Sequence, residues 1–413
     1  MNIYISGISG TGMGPLALMA KAAGHNVCGS DLTAGAIYDE LKEAGIEVSI
    51  GVQDGAFLKS KIDKTDWFAY TSALPGDHAE LVMAKEAGLK CTKRDDLTAF
   101  LVDDLGLKMV AVAGTHGKTT TTSMIVWACQ QLKIPAAYLV GSTLSFARSG
   151  SYKKGDKFFI YEADEYDKNF LKYHPWLSII PFQSYDHSDI YPTQKDYNDA
   201  FSQFRNQSEK VIDSDSKLSF SAEEFKLAGE ARRKDAALAA EAVLKMMYQD
   251  ATDSKIHIDL NFAALIEVLN QFPGVGRRFE KLANGVYSDY AHHPEEIAAT
   301  IEVAQEEAKL TGKKGVVVIY EPHQNVRQHE VRSGYKDAFQ NADKVYWLPT
   351  YLTREDPNLE VLTNEELCKD IDNAEPVKMD DELWQKVLQD EKDGYLVVLM
   401  TAGPADTWLR SKL

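Results

Sequence analysis

The segment GTHGKTT at residues 114–120 constrains the fold of this chain more than any other feature. It follows the apolar run MVAVA and precedes the helical stretch TTSMIVWACQQL. A strand, a glycine-containing loop and a helix in this order are typical of a phosphate loop, whose backbone N–H groups point at phosphate oxygens. Lys118 can then bridge the β- and γ-phosphates of a nucleotide, and the Thr119 hydroxyl can bind Mg²⁺.

The loop is a short GxxGKT form, because Val112 stands where the longer pattern has a further glycine. A simple glycine turn followed by Lys-Thr would give the same letters, but the flanking strand and helix favour nucleotide binding. The predicted nucleotide-binding residues are Gly114, Thr115, His116, Gly117, Lys118, Thr119 and Thr120.

Strands and helices alternate along the whole chain, which predicts an α/β fold. Apolar runs at residues 2–6, 25–29 and 67–71 are separated by helical segments, as in a doubly wound parallel sheet. The alternation restarts near Lys108 and again near Ala283, and 413 residues are too many for one ordinary core. We therefore predict three successive α/β domains: a Rossmann-like N-terminal domain at 1–106, a P-loop ATPase domain at 107–282 and a Rossmann-like C-terminal domain at 283–413.

Helices are also predicted in the central and C-terminal domains. The longest helical segment covers residues 226–247, and another helix is expected near residues 333–340. Strands are predicted at FFIYEAD and WLSIIPF in the central domain, and at GVYSDYA, VVVIY, KVYWLP and YLVVLMTAG in the last one.

A second glycine-rich loop, GISGTGMG, follows the first predicted strand. Gly7, Gly10 and Gly12 would let the backbone turn sharply and approach a phosphate at the following helix N-terminus. Asp31, at the end of the second strand, could bind hydroxyl groups of a ribose or a base. From these residues alone a nicotinamide cofactor, another nucleotide and a plain structural turn all remain open.

Acidic side chains follow two predicted strands of the central domain. The segments are EADEYD at residues 162–167 and DHSD at residues 186–189. Neighbouring strand ends of one sheet could bring Glu162 and His187 to the same metal ion. Each segment alone is more often a solvated loop or a packed histidine, but beside a phosphate loop they favour a metal–nucleotide site.

Charge and composition exclude several functional classes. A formal net charge of −17 argues against a nucleic-acid partner. The first residues lack the features of a signal peptide, and no apolar run approaches the ~20 residues that cross a bilayer. The four cysteines are far apart in the sequence, which predicts reduced thiols and a cytoplasmic protein. The sequence leaves monomer and homodimer equally open.

Taken together, the ordered motifs resemble the Mur ligase family over nearly the whole chain. GTHGKTT, EADE and DHSD resemble its central ATPase domain, and FPGVGRRFE at residues 272–280 resembles its domain junction. SDYAHHPEEI at 288–297, EPHQNVR at 321–327 and VVLMTAG at 397–403 resemble its third domain. The resemblance implies an ATP- and Mg²⁺-dependent ligase that forms an amide through an acyl phosphate.

The resemblance also assigns individual residues. The first loop would bind a UDP-sugar through Gly7, Ser9, Gly10, Thr11, Gly12, Met13, Asp31 and Ser72. Lys118 and Arg278 would contact ATP phosphates, and Asp289 would lie against the ATP ribose. Thr119, Glu162 and His187 would bind Mg²⁺. The remaining predicted catalytic residues, near the amino acid and the acyl phosphate, are His292, His293, His323 and Arg327.

Within the family the chain is most similar to the members that join L-alanine to UDP-N-acetylmuramate. The tripeptide-recycling members share the opening loop, the EADEYD segment and the AHHP motif, but usually carry Arg-Arg-Leu where this chain has Arg277-Arg278-Phe279. The tripeptide ligase is therefore the first alternative. A non-catalytic UDP-sugar or nucleotide sensor is a second one, and an NAD-dependent oxidoreductase would leave residues 114–120 and 162–189 unexplained.

Three departures from the family pattern concern the nucleotide site. Phe182 stands where the family usually has an asparagine. The family's Gly-x-His-Asn motif, whose asparagine meets adenine, is replaced by Gly-Glu-Ala-Arg at 229–232, and residues 205–235 are shortened. No lysine stands near Ser202, where several sister ligases have a carbamylated one. The replaced motif and the shortened segment predict an altered way of holding adenine, whereas the missing lysine is shared with the members that add L-alanine.

Overall fold

The computed structural model describes residues 1–71, 73–187, 190–254, 262–353 and 355–413. The chain forms two compact units. The first comprises Met1–Phe225 and Lys234–Pro273, and the second comprises Lys226–Arg233 and Gly274–Leu413. The described residues form three β-sheets flanked by helices, two sheets in the first unit and one in the second.

The N-terminal sheet consists of five parallel strands. They are β1 (Asn2–Ser6), β2 (Asn26–Asp31), β3 (Glu47–Ile50), β4 (Trp67–Tyr70) and β5 (Lys90–Lys93). Their spatial order is β3-β2-β1-β4-β5, so the order reverses between β1 and β4. The helices of this part are α1 (Gly14–Ala22), α2 (Tyr38–Glu43), α3 (Ala56–Lys61), α4 (Ala79–Glu86) and α5 (Arg94–Asp104), with a 3₁₀ turn at Ile62–Lys64.

The central sheet has six strands and belongs to the same unit. They are β6 (Lys108–Val112), β7 (Ala136–Leu139), β8 (Gly150–Ser151), β9 (Phe158–Glu162), β10 (Leu177–Ile180) and β11 (Val211–Asp213). The order is β11-β10-β6-β9-β7-β8, and every pair except β7–β8 is parallel. The helices are α6 (Lys118–Gln131), α7 (Gln194–Gln207), α8 (Glu230–Ser254) and α9 (Phe262–Asn270), with 3₁₀ segments at Tyr166–Lys172 and Ala222–Glu224.

The second unit is built on the third sheet. Its strands are β12 (Glu280–Ala283), β13 (Val286–Asp289), β14 (Val316–Glu321), β15 (Lys344–Trp347), β16 (Ala374–Pro376) and β17 (Leu396–Thr401). The order is β12-β13-β17-β14-β15-β16, with only the pair β12–β13 antiparallel among them. The helices are α10 (Pro294–Leu310), α11 (Asn325–Val331), α12 (Tyr335–Ala338), α13 (Asn364–Cys368), α14 (Asp381–Lys392) and α15 (Ala405–Lys412), with a 3₁₀ turn at Arg332–Gly334.

Inside the first unit, helix α1 packs directly on the hairpin formed by β7 and β8. A Cβ atom added at Gly150 would overlap the carbonyl oxygen of Pro15, so only glycine permits this approach. Next to it, the Ser149 N–H donates to Glu40 Oε2 over 3.0 Å. A single cluster of buried apolar side chains joins both sheets, with Ile5 on one and Ala111 on the other. The first glycine loop is thereby held beside the central sheet.

The predicted α/β architecture is confirmed, with differences in detail. The long helix begins and ends later than residues 226–247, at Glu230 and Ser254. The expected helix near residues 333–340 is only a 3₁₀ turn followed by the four-residue α12, because Asn325–Val331 already forms the helix after β14. Helix α5 and strand β7 carry no clear periodicity in the sequence and were not among the predicted elements.

Among the described residues, no helix is long and apolar enough to cross a membrane. All four cysteines are free thiols.

Candidate active site

The first glycine loop leaves β1 through a turn that requires glycine. Gly7 has φ +80°, and a Cβ atom there would lie 2.7 Å from Thr71 Cγ2. The Gly7 N–H donates to the carbonyl of Ser30 over 2.8 Å, which ties the loop to the end of β2. The part of the loop that remains accessible to a ligand is Gly10, Thr11 and Gly12.

Three predicted UDP-sugar residues stabilise this loop rather than line its surface. Ser9 is 1% exposed, and its hydroxyl donates to the Thr33 carbonyl over 2.7 Å. Asp31 Oδ2 accepts the Ser9 N–H over 2.9 Å. The Met13 side chain is buried in the apolar core. Their side chains therefore hold the loop in shape, and Ser72, also predicted here, lies outside the described residues.

The phosphate loop follows β6 and is anchored on the segment after β10. Gly114 has φ +136°, and a Cβ atom there would lie 2.5 Å from the carbonyl oxygen of Phe182. The Thr115 N–H donates to that same carbonyl over 2.9 Å. The Thr115 hydroxyl lies 2.7 Å from both the Ser184 carbonyl and the Tyr197 hydroxyl. Thr115 is thus an anchor of the loop, and the sequence pattern gave no sign of these partners.

Gly117 is the residue at which the loop becomes helix α6. It has φ +81°, and a Cβ atom there would lie 2.7 Å from Asp235 Oδ1 and 3.0 Å from Pro181 Cβ. Within the described residues, no side chain caps the first turn of this 14-residue helix. Its first N–H groups therefore remain available to an anion.

The Lys118 side chain is clamped by a buried carboxylate. Its Nζ lies 2.9 Å from both Oε1 and Oε2 of Glu165 and 2.6 Å from the Gly114 carbonyl. Burial alone would lower the pKa of Lys118, but the Glu165 carboxylate outweighs this and the pKa is raised. Burial alone would raise the pKa of Glu165, but Lys118 and His187 hold it below its ordinary value.

His187 belongs to the same cluster. Its Nε2 lies 3.6 Å from Glu165 Oε1 and its ring packs edge-on against Tyr166 at 5.2 Å. Burial would lower the pKa of His187, but the neighbouring Glu165 carboxylate outweighs this, so the pKa is raised above its ordinary value. The structure therefore pairs His187 with Glu165, whereas the sequence had suggested Glu162 as its neighbour. Asp189 and Ser188, from the same predicted segment, lie outside the described residues.

Thr119 and Glu162, both of which are predicted Mg²⁺ ligands, contact each other. The Thr119 hydroxyl, in the first turn of α6, donates to Glu162 Oε1 over 2.8 Å. Glu162 ends β9, the neighbour of strand β6 from which the phosphate loop leaves. The other oxygen, Glu162 Oε2, is buried and accepts no hydrogen bond from the described residues. In the described parts of the chain, no three His, Cys, Asp or Glu side chains converge as a metal site by themselves.

The two glycine loops face one cavity of about 190 Å³. Thr11 and Gly12 line it from the first loop, and Lys118 lines it from the phosphate loop. The remaining lining residues come from α1, α5, β7, β9 and the segments that follow β7 and β9: Pro15, Arg94, Leu139, Val140, Gly141, Tyr161, Glu162 and Asp164. Arg94 was not among the predicted site residues.

In the second unit, His292 is buried at the start of α10. Its Nδ1 lies 2.9 Å from the Tyr290 carbonyl. A carbonyl only accepts, so the neutral ring carries its proton on Nδ1 and leaves Nε2 as an acceptor. Burial lowers the pKa of His292 below its ordinary value. His293, the residue before α10, uses its N–H to donate to Glu296 Oε2 over 3.3 Å.

His323 and Arg327 meet His292 in this unit. The His292 and His323 rings lie edge to face at 5.6 Å. Arg327 Nη1 lies 3.3 Å from His323 Nδ1. Arginine only donates, so this nitrogen of His323 is the acceptor. Residues from two motifs, 288–297 and 321–327, are therefore brought together, and their roles near the amino acid stay a prediction.

Arg278 and Asp289 occupy different environments beside this group. The Arg278 guanidinium lies 5.1 Å from the centre of the Tyr290 ring. Asp289 is buried, and its carboxylate accepts the N–H groups of Phe279 over 2.6 Å and Ala291 over 2.8 Å. Asp289 therefore holds the turn that carries Arg278, and its contact with an ATP ribose stays a prediction.

Comparison with known proteins agrees with this arrangement. Three family models match successive parts of the chain: "Mur ligase family, catalytic domain" at 2–104, "Mur ligase middle domain" at 112–264 and "Mur ligase, glutamate ligase domain" at 277–403. The UDP-N-acetylmuramate–L-alanine ligase of Campylobacter jejuni subsp. jejuni serotype O:6 is 31% identical over 387 residues, which cover 86% of this chain and 87% of that protein. The chain belongs to the Mur ligase family.

Other relatives of this Mur ligase are similar over comparable lengths. The enzyme of the same name from Kineococcus radiotolerans is 31% identical over 405 residues, covering 87% of this chain and 83% of that protein. The crystal structure of UDP-N-acetylmuramate–alanine ligase from Thermotoga maritima superposes with a TM-score of 0.77 at 22% identity, covering 100% and 98% of the two chains. A murein peptide ligase from Psychrobacter arcticus gives 0.62 at 21% identity, covering 100% and 98%. These two structures support the fold.

The residues that depart from the family pattern have defined places in this Mur ligase. The Phe182 ring is 46% exposed and stacks on His116 of the phosphate loop at 5.6 Å. Gly229 has φ +89°, its N–H donates to Glu306 over 2.8 Å, and an added Cβ atom would overlap Val303. Ser202 donates to the Asn198 carbonyl within α7. The predicted consequence for adenine binding stays a prediction.

Proposed function

We propose that this Mur ligase uses ATP to join L-alanine to the lactyl carboxylate of UDP-N-acetylmuramate, a step in peptidoglycan precursor synthesis. One observation carries the proposal: the exposed part of the first glycine loop and Lys118 of the phosphate loop line the same cavity. A nucleotide-linked sugar bound at the first loop and ATP bound at the phosphate loop would therefore meet in one small space. The names of the relatives supply the identity of the two substrates.

ATP would bind along the phosphate loop. The N–H groups at the start of α6 and the Lys118 ammonium are suited to the β- and γ-phosphates. In this structure the Lys118 ammonium binds the Glu165 carboxylate. When ATP binds, phosphate oxygens would take the place of these carboxylate oxygens. The family resemblance implies that Arg278 also contacts the ATP phosphates.

Mg²⁺ fits the residues next to this loop. Glu162 offers a buried carboxylate oxygen with no hydrogen-bond donor among the described residues, and Thr119 offers a hydroxyl oxygen. Oxygen ligands of this kind are the ones Mg²⁺ prefers in nucleotide sites. When bound, the ion would neutralise phosphate charge. His187 is a further candidate ligand once its contact with Glu165 is given up.

The reaction follows from what each group holds. The lactyl carboxylate attacks the γ-phosphorus, the bond to the β–γ bridging oxygen breaks, and ADP leaves an acyl phosphate. The Lys118 ammonium stabilises the charge on the transferred group. The amine of L-alanine then attacks the acyl carbon, and inorganic phosphate leaves. Because the acyl phosphate reacts with water, the site must exclude solvent during this interval.

A base must remove a proton from the alanine ammonium before attack. His292 fits this role, because burial keeps its ring neutral and its Nε2 is free to accept. The His323 ring packs against it, and Arg327 Nη1 lies 3.3 Å from His323 Nδ1. We assign proton removal to His292, positioning to His323 and Arg327, and the shape of the α10 start to His293.

The boundaries 1–106, 107–282 and 283–413, a cytoplasmic location, and a monomeric or homodimeric state belong to the same proposal. The free thiols are compatible with a reducing compartment.

The decisive experiment measures phosphate release from ATP with Mg²⁺ and UDP-N-acetylmuramate, with and without L-alanine. Release that requires both substrates supports the proposal. Release with L-Ala-γ-D-Glu-meso-diaminopimelate but not with L-alanine would replace it by the tripeptide ligase. No turnover with either amine, with UDP-N-acetylmuramate still bound, would favour the non-catalytic sensor.

A further inference from the structure

Arg94 lies between the two glycine loops and has no assigned role. It is the first residue of α5, directly after strand β5 of the N-terminal sheet. Its side chain lines the cavity that Gly12 and Lys118 also line. A Cβ atom added at Gly12 would lie 3.5 Å from Arg94 Nη1, so this nitrogen faces the first loop.

The Arg94 guanidinium is held in place on its other side. Nε and Nη2 lie 3.3 and 3.2 Å from Asp95 Oδ1. Asp95 is 2% exposed, and the same oxygen accepts the hydroxyl groups of Tyr161 over 2.9 Å and Tyr173 over 2.8 Å. The side chain is therefore preorganised, and little conformational entropy remains to be lost when it binds a ligand.

Arg94 Nη1 is the part of the guanidinium that is left for a ligand. It donates no hydrogen bond to any of the described residues, whereas Lys118 is fully engaged with Glu165 and the Gly114 carbonyl. Arg94 is half-buried, with 24% of its side chain exposed, and its unused donor faces the cavity. A cation in this position is suited to an anionic ligand, to which it can donate a charge-assisted hydrogen bond.

The position of the cavity selects the anion. The cavity volume of about 190 Å³ lies below the ~300–1,000 Å³ of pockets that enclose a whole drug-sized ligand. It suits a small reacting group. The atoms that react must approach within ~3–3.5 Å, so a group beside Lys118 and Glu162 is the one that meets the γ-phosphate.

We propose that Arg94 binds the carboxylate of the UDP-sugar substrate and aims it at the γ-phosphate. The proposal rests on the function proposed above and adds a residue that selects the acid over a neutral sugar. A UDP-sugar without the carboxylate cannot accept this charge-assisted hydrogen bond, so Arg94 adds affinity only for the acid. Arg94 is thus a substrate-binding residue for the acceptor acid.

The test compares UDP-N-acetylmuramate with UDP-N-acetylglucosamine, which lacks the lactyl carboxylate. Titration calorimetry without ATP measures both dissociation constants for the wild type and for Arg94→Gln. Loss of a charge-assisted hydrogen bond weakens binding by about 10- to 100-fold. We expect that loss for UDP-N-acetylmuramate alone, with UDP-N-acetylglucosamine bound as in the wild type. Arg94→Lys keeps the positive charge but lacks the planar guanidinium. Its dissociation constant for UDP-N-acetylmuramate should lie between those of the wild type and Arg94→Gln.

Arg148→Gln is the matched control, because Arg148 forms only an exposed ion pair with Glu43 at 3.4 Å in the same unit. It should leave both dissociation constants unchanged. Unchanged UDP-N-acetylglucosamine binding by Arg94→Gln also shows that the variant is folded.

Three results would overturn the assignment of Arg94. Equal weakening for both sugars would move Arg94 to the diphosphate, and equal affinity of wild type and Arg94→Gln for UDP-N-acetylmuramate would remove it from the site. A wild type that binds neither sugar would instead overturn the proposed function, and the assignment of Arg94 with it.

Discussion

Lys118 Nζ lies 2.9 Å from both carboxylate oxygens of Glu165, a residue whose side chain is 1% exposed. The phosphate loop therefore holds its lysine against an internal anion. A buried carboxylate that loses its cation is costly, whereas replacing both partners by neutral groups costs much less. A comparison of a Lys118 variant with a double variant that also neutralises Glu165 therefore separates the structural role of Lys118 from its role in binding ATP.

Lys118→Met should abolish amide formation and also destabilise the fold by about 3–5 kcal/mol, because Glu165 stays charged and buried. The double variant Lys118→Met/Glu165→Gln should regain most of that stability but remain inactive. Chemical denaturation and the phosphate-release assay measure the two effects. Both variants should still bind UDP-N-acetylmuramate, and a stable double variant with normal turnover would contradict the role of Lys118.

Gly117→Ala should damage ATP binding through the shape of the loop. Its φ of +81° strains any other residue, and the new Cβ atom would meet Asp235 Oδ1 at 2.7 Å. We expect a cost of about 1–3 kcal/mol and a raised KM for ATP. Gly155→Ala is the matched control, since Gly155 has φ +105° but nothing within 4 Å of its Cβ position. Gly155→Ala should lower the stability by about 1 kcal/mol and leave the KM for ATP unchanged. Equal KM values for the two variants would contradict a role of Gly117 in shaping the ATP site.

The sequence predicts the phosphate-loop site well because its parts end neighbouring strands. Val112 of β6 pairs with Glu162 of β9, so the loop and the first acidic residue meet at one sheet edge. The choice of Glu165 as the partner of Lys118 was not predictable. It depends on the turn after Glu165, where Asp167 and Lys168 take φ near +54° and +55°.

Arg94 escaped prediction for a different reason. It is the first residue of α5, directly after strand β5, and its approach to Lys118 depends on how the two sheets of the first unit pack. The close contact of Gly150 with Pro15 contributes to that packing, and no local sequence pattern indicates it. A sequence motif indicates which residues follow one strand. A site that two sheets share depends on how the sheets pack, so its residues can be identified only from the tertiary structure.

Stability should fall on mild acidification because of His292. Burial lowers its pKa, so the unfolded chain takes up a proton near pH 6.5 while the folded chain does not. The unfolded state then binds more protons, and stability decreases as the pH drops below about 6.5. In His292→Gln, the unfolding midpoint should decrease less between pH 7 and pH 5.5 than it does in the wild type. His174→Gln, an exposed histidine, is the control and should leave that loss as in the wild type.

Removal of the Thr119 hydroxyl should weaken the response to Mg²⁺. Thr119→Val deletes the oxygen that lies 2.8 Å from Glu162 Oε1, and half-maximal phosphate release should then require about 10-fold more Mg²⁺. Thr122→Val, one turn along the same helix, loses only the bond to the Lys118 carbonyl and should keep the wild-type Mg²⁺ requirement. A Mg²⁺ titration of all three proteins, with excess chelator as the zero point, measures the difference. Equal shifts in both variants would mean that the helix was disturbed, and no shift in either would remove Thr119 from the metal site.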